Sequence, residues 1–345
     1  MSRYFPPLLL VILVLLPLFV KDPYLLNALI TGGIFTIGAI SLNLLLGFTG
    51  QLSLGHIAFF GIGAYASALT SLGFDVGLFG GVRVVHEAWP PLVGFVVAVV
   101  LAGACGFIVG RLSFRVRGAY FVIVTIAFAE VVRLVALNWI ELTQGPLALT
   151  SIPQMRLGLP FGGETVLRTK AQNFYLMLAV ATLCYLVVAR LVSGRFGRAM
   201  RGLKENEPLA MSVGIDVTRT LTITATISAA MAGAAGSLYA HYFRIIDPDV
   251  FLFTYTVTMI IMVVSGGKGT LAGPLIGGVI FSILPVTLRP YMAPEAQWIV
   301  YGAVLILILF LTPKGLAPYV DEWFARRRAN RLPAPSIDAR AEART

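Results

Sequence analysis

The sequence predicts an all-α polytopic membrane protein, and three observations carry that prediction. Of 345 residues, 58% are hydrophobic and only 12% are charged, with a mean hydropathy of +0.87. A soluble chain has about a quarter of its residues charged, so this one lacks the ionisable groups to cover a water-facing surface. Apolar runs long enough to cross a bilayer recur along the chain. The net charge of +10 comes from basic residues in the short segments between those runs and at the C-terminus. No basic face with interleaved aromatics appears, so nucleic acid is excluded as a partner and the basic residues read as topology signals. Cys105 and Cys184 are too few for a disulfide-stapled secreted domain and read as packed, reduced thiols within apolar runs.

Ten segments qualify as transmembrane helices: 6–20, 25–46, 57–73, 91–110, 118–138, 172–192, 217–240, 251–265, 270–288 and 296–312. The first and eighth are short, so the expected count is eight to ten. The first 20 residues resemble a signal peptide, but no small-residue cleavage site precedes Lys21, so an uncleaved span is expected. Threading the spans alternately with the N-terminus inside places 18 of the 26 basic residues in the cytoplasm, which puts both termini there. The expected layout is one transmembrane domain over 1–320, with an outside loop at 141–171 and an inside loop at 193–216. The basic tail 321–345 has no apolar periodicity and reads as disordered. Small residues recur every four positions at Gly269, Gly273 and Gly277, at Ala102, Gly106 and Gly110, and at Ala229, Gly233 and Ser237. Such stripes allow close helix packing in lipid.

Enzyme motifs are missing. Gly266-Gly267-Lys268-Gly269-Thr270 lacks the Gly-Lys-Ser/Thr order of a phosphate-binding loop. His56, His86 and His241 are far apart, without metal-ligand spacing. Neither a nucleophile elbow nor a paired-carboxylate face is present. The expectation is a non-enzymatic chain without a cofactor or metal of its own, one that moves a solute or helps move it.

Four features could serve that task. Gly47-Phe48-Thr49-Gly50-Gln51-Leu52-Ser53-Leu54-Gly55-His56 is polar and glycine-rich between two apolar helices. It is either an ordinary turn or a helix break lining a watery cavity, as in many transporters. Glu130 and Arg133 share one helix face in the middle of a span and can pair, as a structural ion pair or as part of a pathway or gate. In 193–216, Phe196, Met200 and Leu203 form an apolar stripe opposite Arg195, Arg198 and Arg201, which predicts an amphipathic helix. Glu205-Asn206-Glu207-Pro208 then stops and restarts the chain, with Asn206 as N-cap and Gly214 as the C-terminal stop. The two short helices either lie on the lipid surface or dock into a partner. Finally, Gly47-x-x-Gly50-x-Leu52 is faintly echoed by Gly266-x-x-Gly269-x-Leu271, a hint of an inverted repeat.

With these residues in view, the chain resembles the LivM-type permeases of branched-chain amino acid ABC importers. The run from Leu42 to His56, continued by Ala58-Phe59-Phe60-Gly61-Ile62-Gly63-Ala64-Tyr65, matches the family signature closely. Arg117–Phe121, Ala127–Glu130, Ser193–Ala199, Glu205-Asn206-Glu207 and Gly214-Ile215 agree as well, so the resemblance covers roughly 25–320. It implies a second, LivH-type permease, two cytoplasmic ATPase subunits that bind ATP and Mg, a periplasmic binding protein, and a bacterial inner membrane. It also implies that 193–216 is the ATPase-coupling segment, carried by Arg195, Phe196, Arg198, Arg201, Glu205, Asn206, Glu207, Ala210 and Gly214. Pro208 and Leu209 replace the opening residues of the Glu-Ala-Ala motif of other importers. Thr143–Pro153 departs from the Gly/Ser/Asn-rich stretch usual in the family, which leaves urea, amides or another small acid open as cargo. The expected mechanism is alternating access, with Gly47, Thr49, Gly50, Gln51, Ser53, Gly55, His56 and Glu130 along the substrate pathway. The rival from another class is a stand-alone secondary transporter or channel.

Overall fold

The computed structural model describes residues 12–17, 22–77, 83–114, 119–159 and 162–319. Residues 12–17 are helical, and the Tyr175 hydroxyl donates to the Val14 carbonyl at 3.1 Å, tying this piece of the first expected span to the bundle. The rest of that span and the tail 321–345 lie outside the described residues.

The remaining expected spans are all helices: α1 (Pro23–Leu46), α2 (Ile57–Leu72), α3 (Pro91–Ser113), α4 (Ala119–Asn138), the short α5 (Ile140–Thr143), α6 (Lys170–Ser193), α7 (Arg195–Glu205), α8 (Glu207–Ser212), α9 (Val217–Phe243), α10 (Phe253–Gly266), α11 (Gly273–Leu288) and α12 (Pro294–Leu311). Their starts are chemically marked. Asp22 caps α1, Thr169 and Gln172 form a capping box on α6, and Asp216 caps α9. Among the described residues six helices are long and apolar enough to cross a membrane, and α2, α10 and α11 are shorter apolar helices beside them. The chain is a multi-pass membrane protein.

Successive spans alternate in direction, giving the bundle two ends. One, the hairpin end, carries the antiparallel pairs β1 (Phe74–Gly77) with β2 (Arg83–His86) and β3 (Arg156–Leu159) with β4 (Gly162–Val166). There Lys170 Nζ donates to the Pro23 carbonyl at 2.8 Å, and Arg289 donates to the Tyr24 hydroxyl at 2.9 Å. The other, the basic end, carries 47–56, 193–216, 267–272 and Lys314, whose carbonyl faces Gly267.

Helix α1 runs through the middle, buried along most of its length against α6, α9, α10 and α11. Around it α2, α3 and α9 pack tightest. The small-residue stripes explain why: a methyl group on Gly106 would strike Ala229, and one on Gly233 would strike Ala102, so these two stripes face each other. In the third stripe Gly273 and Gly277 pack against 262–270, whereas Gly269 precedes α11 and belongs to a loop with φ +78°. An aromatic core holds the centre, with Phe35 stacked on Phe60 at 5.7 Å and on Tyr255 at 5.4 Å.

The 141–171 loop is a folded cap on the hairpin end. Leu149 bridges Ile246, Arg244 Nε donates to the Ile152 carbonyl at 3.1 Å, and Ile152 and Met155 are buried. His241 is held by the same cap. Its Nδ1 lies 2.7 Å from the Pro153 carbonyl, which can only accept, so Nδ1 carries the proton. Nε2 of the neutral ring then accepts from Ser67 at 2.8 Å, and Ser67 accepts from Ser237 at 2.7 Å.

Candidate functional site

The Gly47–His56 segment turns at the basic end and climbs back into the bundle. Ser41 lies five residues, about 7.5 Å, inside the end of α1. His56 reaches it, with Nε2 and Ser41 Oγ 2.7 Å apart and the ring fully buried. Helix α2 therefore starts below the bundle's surface. The Ile57 amide donates to Thr256 Oγ1 at 3.3 Å, so the first turns of the short helices α2 and α10 meet inside the protein. Of the two readings the sequence left open, turn or cavity-lining break, the segment combines a turn at the end with a re-entry into the bundle, and that re-entry is packed with protein. Thr49 Oγ1 donates to the Leu45 carbonyl at 2.7 Å, Ser53 is buried, and a methyl group on Gly55 would run into the Thr125 carbonyl of α4. Gln51 is half-buried, and its backbone N–H donates to the Leu45 carbonyl at 3.2 Å. Gly50 is exposed at φ +76°, beside Lys204.

Three side-chain links run through this region. Asn43 Nδ2 donates to the Thr270 carbonyl and its Oδ1 accepts from the Gly269 amide, each at 2.9 Å. Lys204 Nζ donates to the Gly47 carbonyl at 2.8 Å. The echoed glycine motifs thus pack against each other at one end of the molecule. Copies in an inverted repeat would lie at opposite ends, so this echo marks a contact and not such a repeat. Sequence reasoning missed Asn43 and Lys204 as contacts, since each partner lies more than 150 residues away.

Residues 193–216 fold as α7 and α8, with Asn206 Oδ1 accepting from the Leu209 amide at 3.0 Å as the expected N-cap. The apolar stripe is used within the bundle. Met200 is fully buried, and Leu203 and Ala210 join a cluster with Leu45, Phe114, Phe121 and Leu221. Phe196 is partly buried on the main core. The Phe196–Met200–Leu203 stripe, which the sequence left open between lipid and a partner, packs on the chain's own helices. What faces out is Arg195, Arg198, Arg201, Glu205 and Gly214 around an apolar knob of Leu209, Met211 and Val213. Glu207 opens α8 in its first turn.

The third region is charged. Arg133 donates to Glu130 at 2.9 Å, as the i, i+3 spacing predicted, and its other guanidinium nitrogen lies 3.7 Å from Asp249. Glu130 is on the outer side of α4, away from the Gly47–His56 segment, with its side chain 55% exposed and that of Asp249 65% exposed. Both are deep. Phe251 packs on Gly61 and Tyr65 of α2, and Gly61 lies eleven residues, about 16 Å, below the end of α2 at Leu72. Glu130 is eight residues, about 12 Å, from the end of α4. In a hydrocarbon layer about 30 Å thick Glu130 falls near the middle, and Asp249, paired with Arg133, falls between there and the hairpin end. A charge there costs about 2.5–3.5 kcal/mol on insertion scales when it faces lipid. Asp249 escaped sequence reasoning because Arg244–Leu252 looks like an ordinary loop. The signal was the shortness of the span after it.

An apolar cleft of about 280 Å³ between α1, α6 and α11, lined by Leu29, Gly33, Phe174, Met177, Leu275 and others, carries no charged group. Among the described residues no three His, Cys, Asp or Glu side chains converge as metal ligands.

Comparison with known proteins agrees with this architecture. The model of the family described as branched-chain amino acid transport system / permease component matches residues 24–309. The LivM permease protein of the high-affinity branched-chain amino acid transport system of Salmonella typhimurium is 32% identical over 83% of this chain and 68% of its own length. The LivH permease protein of the corresponding Escherichia coli system is 29% identical over 84% of this chain and 93% of its own length. A probable LivM from Methanocaldococcus jannaschii is 28% identical over 83% and 91%. No solved structure matches. The family match covers most of the bundle, from the start of α1 into α12, and on it the chain belongs to the branched-chain amino acid permease family.

Proposed function

We propose that this chain is one of two homologous permease subunits of an ATP-driven importer for branched-chain amino acids. Two cytoplasmic ATPase subunits bind ATP and Mg, and a periplasmic binding protein delivers the cargo. The basic end is cytoplasmic and the hairpin end periplasmic, with both termini inside a bacterial inner membrane. That orientation rests on the excess of Lys and Arg at the basic end. The chain itself translocates and does no chemistry.

The observation that carries this reading is the chain of contacts from α7 through Lys204 to Gly47, and from Asn43 to Gly269 and Thr270. An ATPase subunit gripping the Leu209–Val213 knob would move α7 and α8 as a unit. Through Lys204 and Asn43, both inner loops, and with them α1, α2, α10 and α11, would follow. In this reading 193–216 is the coupling segment, and the Gly47–His56 residues transmit motion and shape the pathway's inner wall. Glu130 lies on the route itself. The altered Thr143–Pro153 stretch supports a second reading, in which the same machine carries urea or an amide.

Replacing Lys204 with Met tests the link. The assembled complex is expected to keep hydrolysing ATP while leucine uptake into proteoliposomes falls at least about tenfold, the loss of one charge-assisted hydrogen bond of about 1.5–3 kcal/mol. Unchanged uptake per ATP hydrolysed would remove the link from the mechanism.

A further inference from the structure

We propose that the face formed by α4 and residues 247–258 is the seam with a second, homologous permease subunit, a proposal that rests on the functional reading above. The exposed faces of the bundle are of two kinds. Those of α3 (Val96, Val100, Phe107, Ile108) and of α12 (Ile299, Ile306, Leu307, Phe310) are apolar and suit lipid. The α4 face is different. Around apolar Ile123, Val131 and Leu134 it sets Glu130, Arg133 and Asp249 within the depth of the bilayer. Asp247, Leu252, Phe253 and Thr254 beside them are exposed too.

Lipid cannot solvate this patch, so protein or protein-held water covers it.

Charge selects the occupant. Among the described residues of this cluster two carboxylates, Glu130 and Asp249, stand against one guanidinium, so the patch has an acidic excess. A second copy related by a two-fold axis through the patch would bring the same acidic excess and leave the seam with a net negative charge away from water. The occupant is therefore a different chain that presents hydrogen-bond donors or a cation at this depth. This chain's similarity to both LivM and LivH proteins supports a paralogue of the same fold.

Site-specific photo-crosslinking decides the matter. A benzophenone amino acid is placed at Val131 or Leu134 on α4, and at Ile306 or Phe310 on α12, in the full chain co-expressed with the other importer subunits. The proposal expects an adduct with the mass of this chain plus the second permease, at least tenfold stronger from the α4 positions. If the second permease co-purifies but crosslinks equally or better from α12, the face assignment is overturned. An adduct of twice this chain's mass from α4 overturns it in favour of a second copy. If no second permease co-purifies at all, the functional reading itself fails, and the seam with it.

Discussion

Gly50 and Gly55 stand five residues apart in the same segment, yet they are glycines for different reasons. Gly50 has φ +76° with only Lys204 nearby, so a side chain there meets backbone strain of about 1–2 kcal/mol and not a crowded route. Gly55 is pressed against the α4 backbone, where nothing can give way. Gly55→Ala is therefore expected to abolish accumulation of the chain in membranes. Gly302→Ala on α12, with nothing within 4 Å, is expected to leave abundance and melting in detergent unchanged or slightly improved. Equal losses in both would refute this packing account. The charged trio gives a second residue-scale expectation. Arg133→Leu strands Glu130 and Asp249 at bilayer depth, so melting should fall by several degrees. Removing Glu130 as well should restore part of it, because an unpaired charge costs more than an absent pair.

Helices α7 and α8 divide their work by face. The inner face is core, with Met200 fully buried, and the outer face is the Leu209–Val213 knob. Met200→Asp should lose the chain from the membrane fraction. Leu209→Asp should leave its abundance intact and release the ATPase subunits from the purified complex. If Leu209→Asp also removes the chain, the knob is structural and not a docking surface. Most of this element was legible in the sequence. A stripe at i, i+4, i+7, a stop at Glu205 and a cap at Asn206 are local patterns, and local patterns survive folding. Which surface the stripe would meet was not legible, because Leu45, Phe114 and Leu221 come from three different helices.

At the scale of the molecule, the spans were readable because a bilayer demands long apolar runs with few charges, and no tertiary contact can disguise them. The proposed direction rests on Lys and Arg placement, and the described basic residues other than Arg133 lie toward one or the other end. The candidate site was only half readable. Gly47–His56 announced itself as polar and glycine-rich, but its filled interior depends on Thr125, Thr256 and Gly269, none of them near in sequence. The depth of Asp249 was hidden for the same reason: it is fixed by Phe251 packing on Gly61 and Tyr65.

In the proposed function this bundle moves branched-chain amino acids by borrowing ATP hydrolysis from partner subunits. The most direct test is uptake of labelled leucine into proteoliposomes containing the complex purified on this chain, with the cognate binding protein outside and ATP either enclosed or omitted. The account predicts accumulation that requires both ATP and the binding protein. Uptake by this chain alone, indifferent to ATP and following a proton gradient, would contradict it.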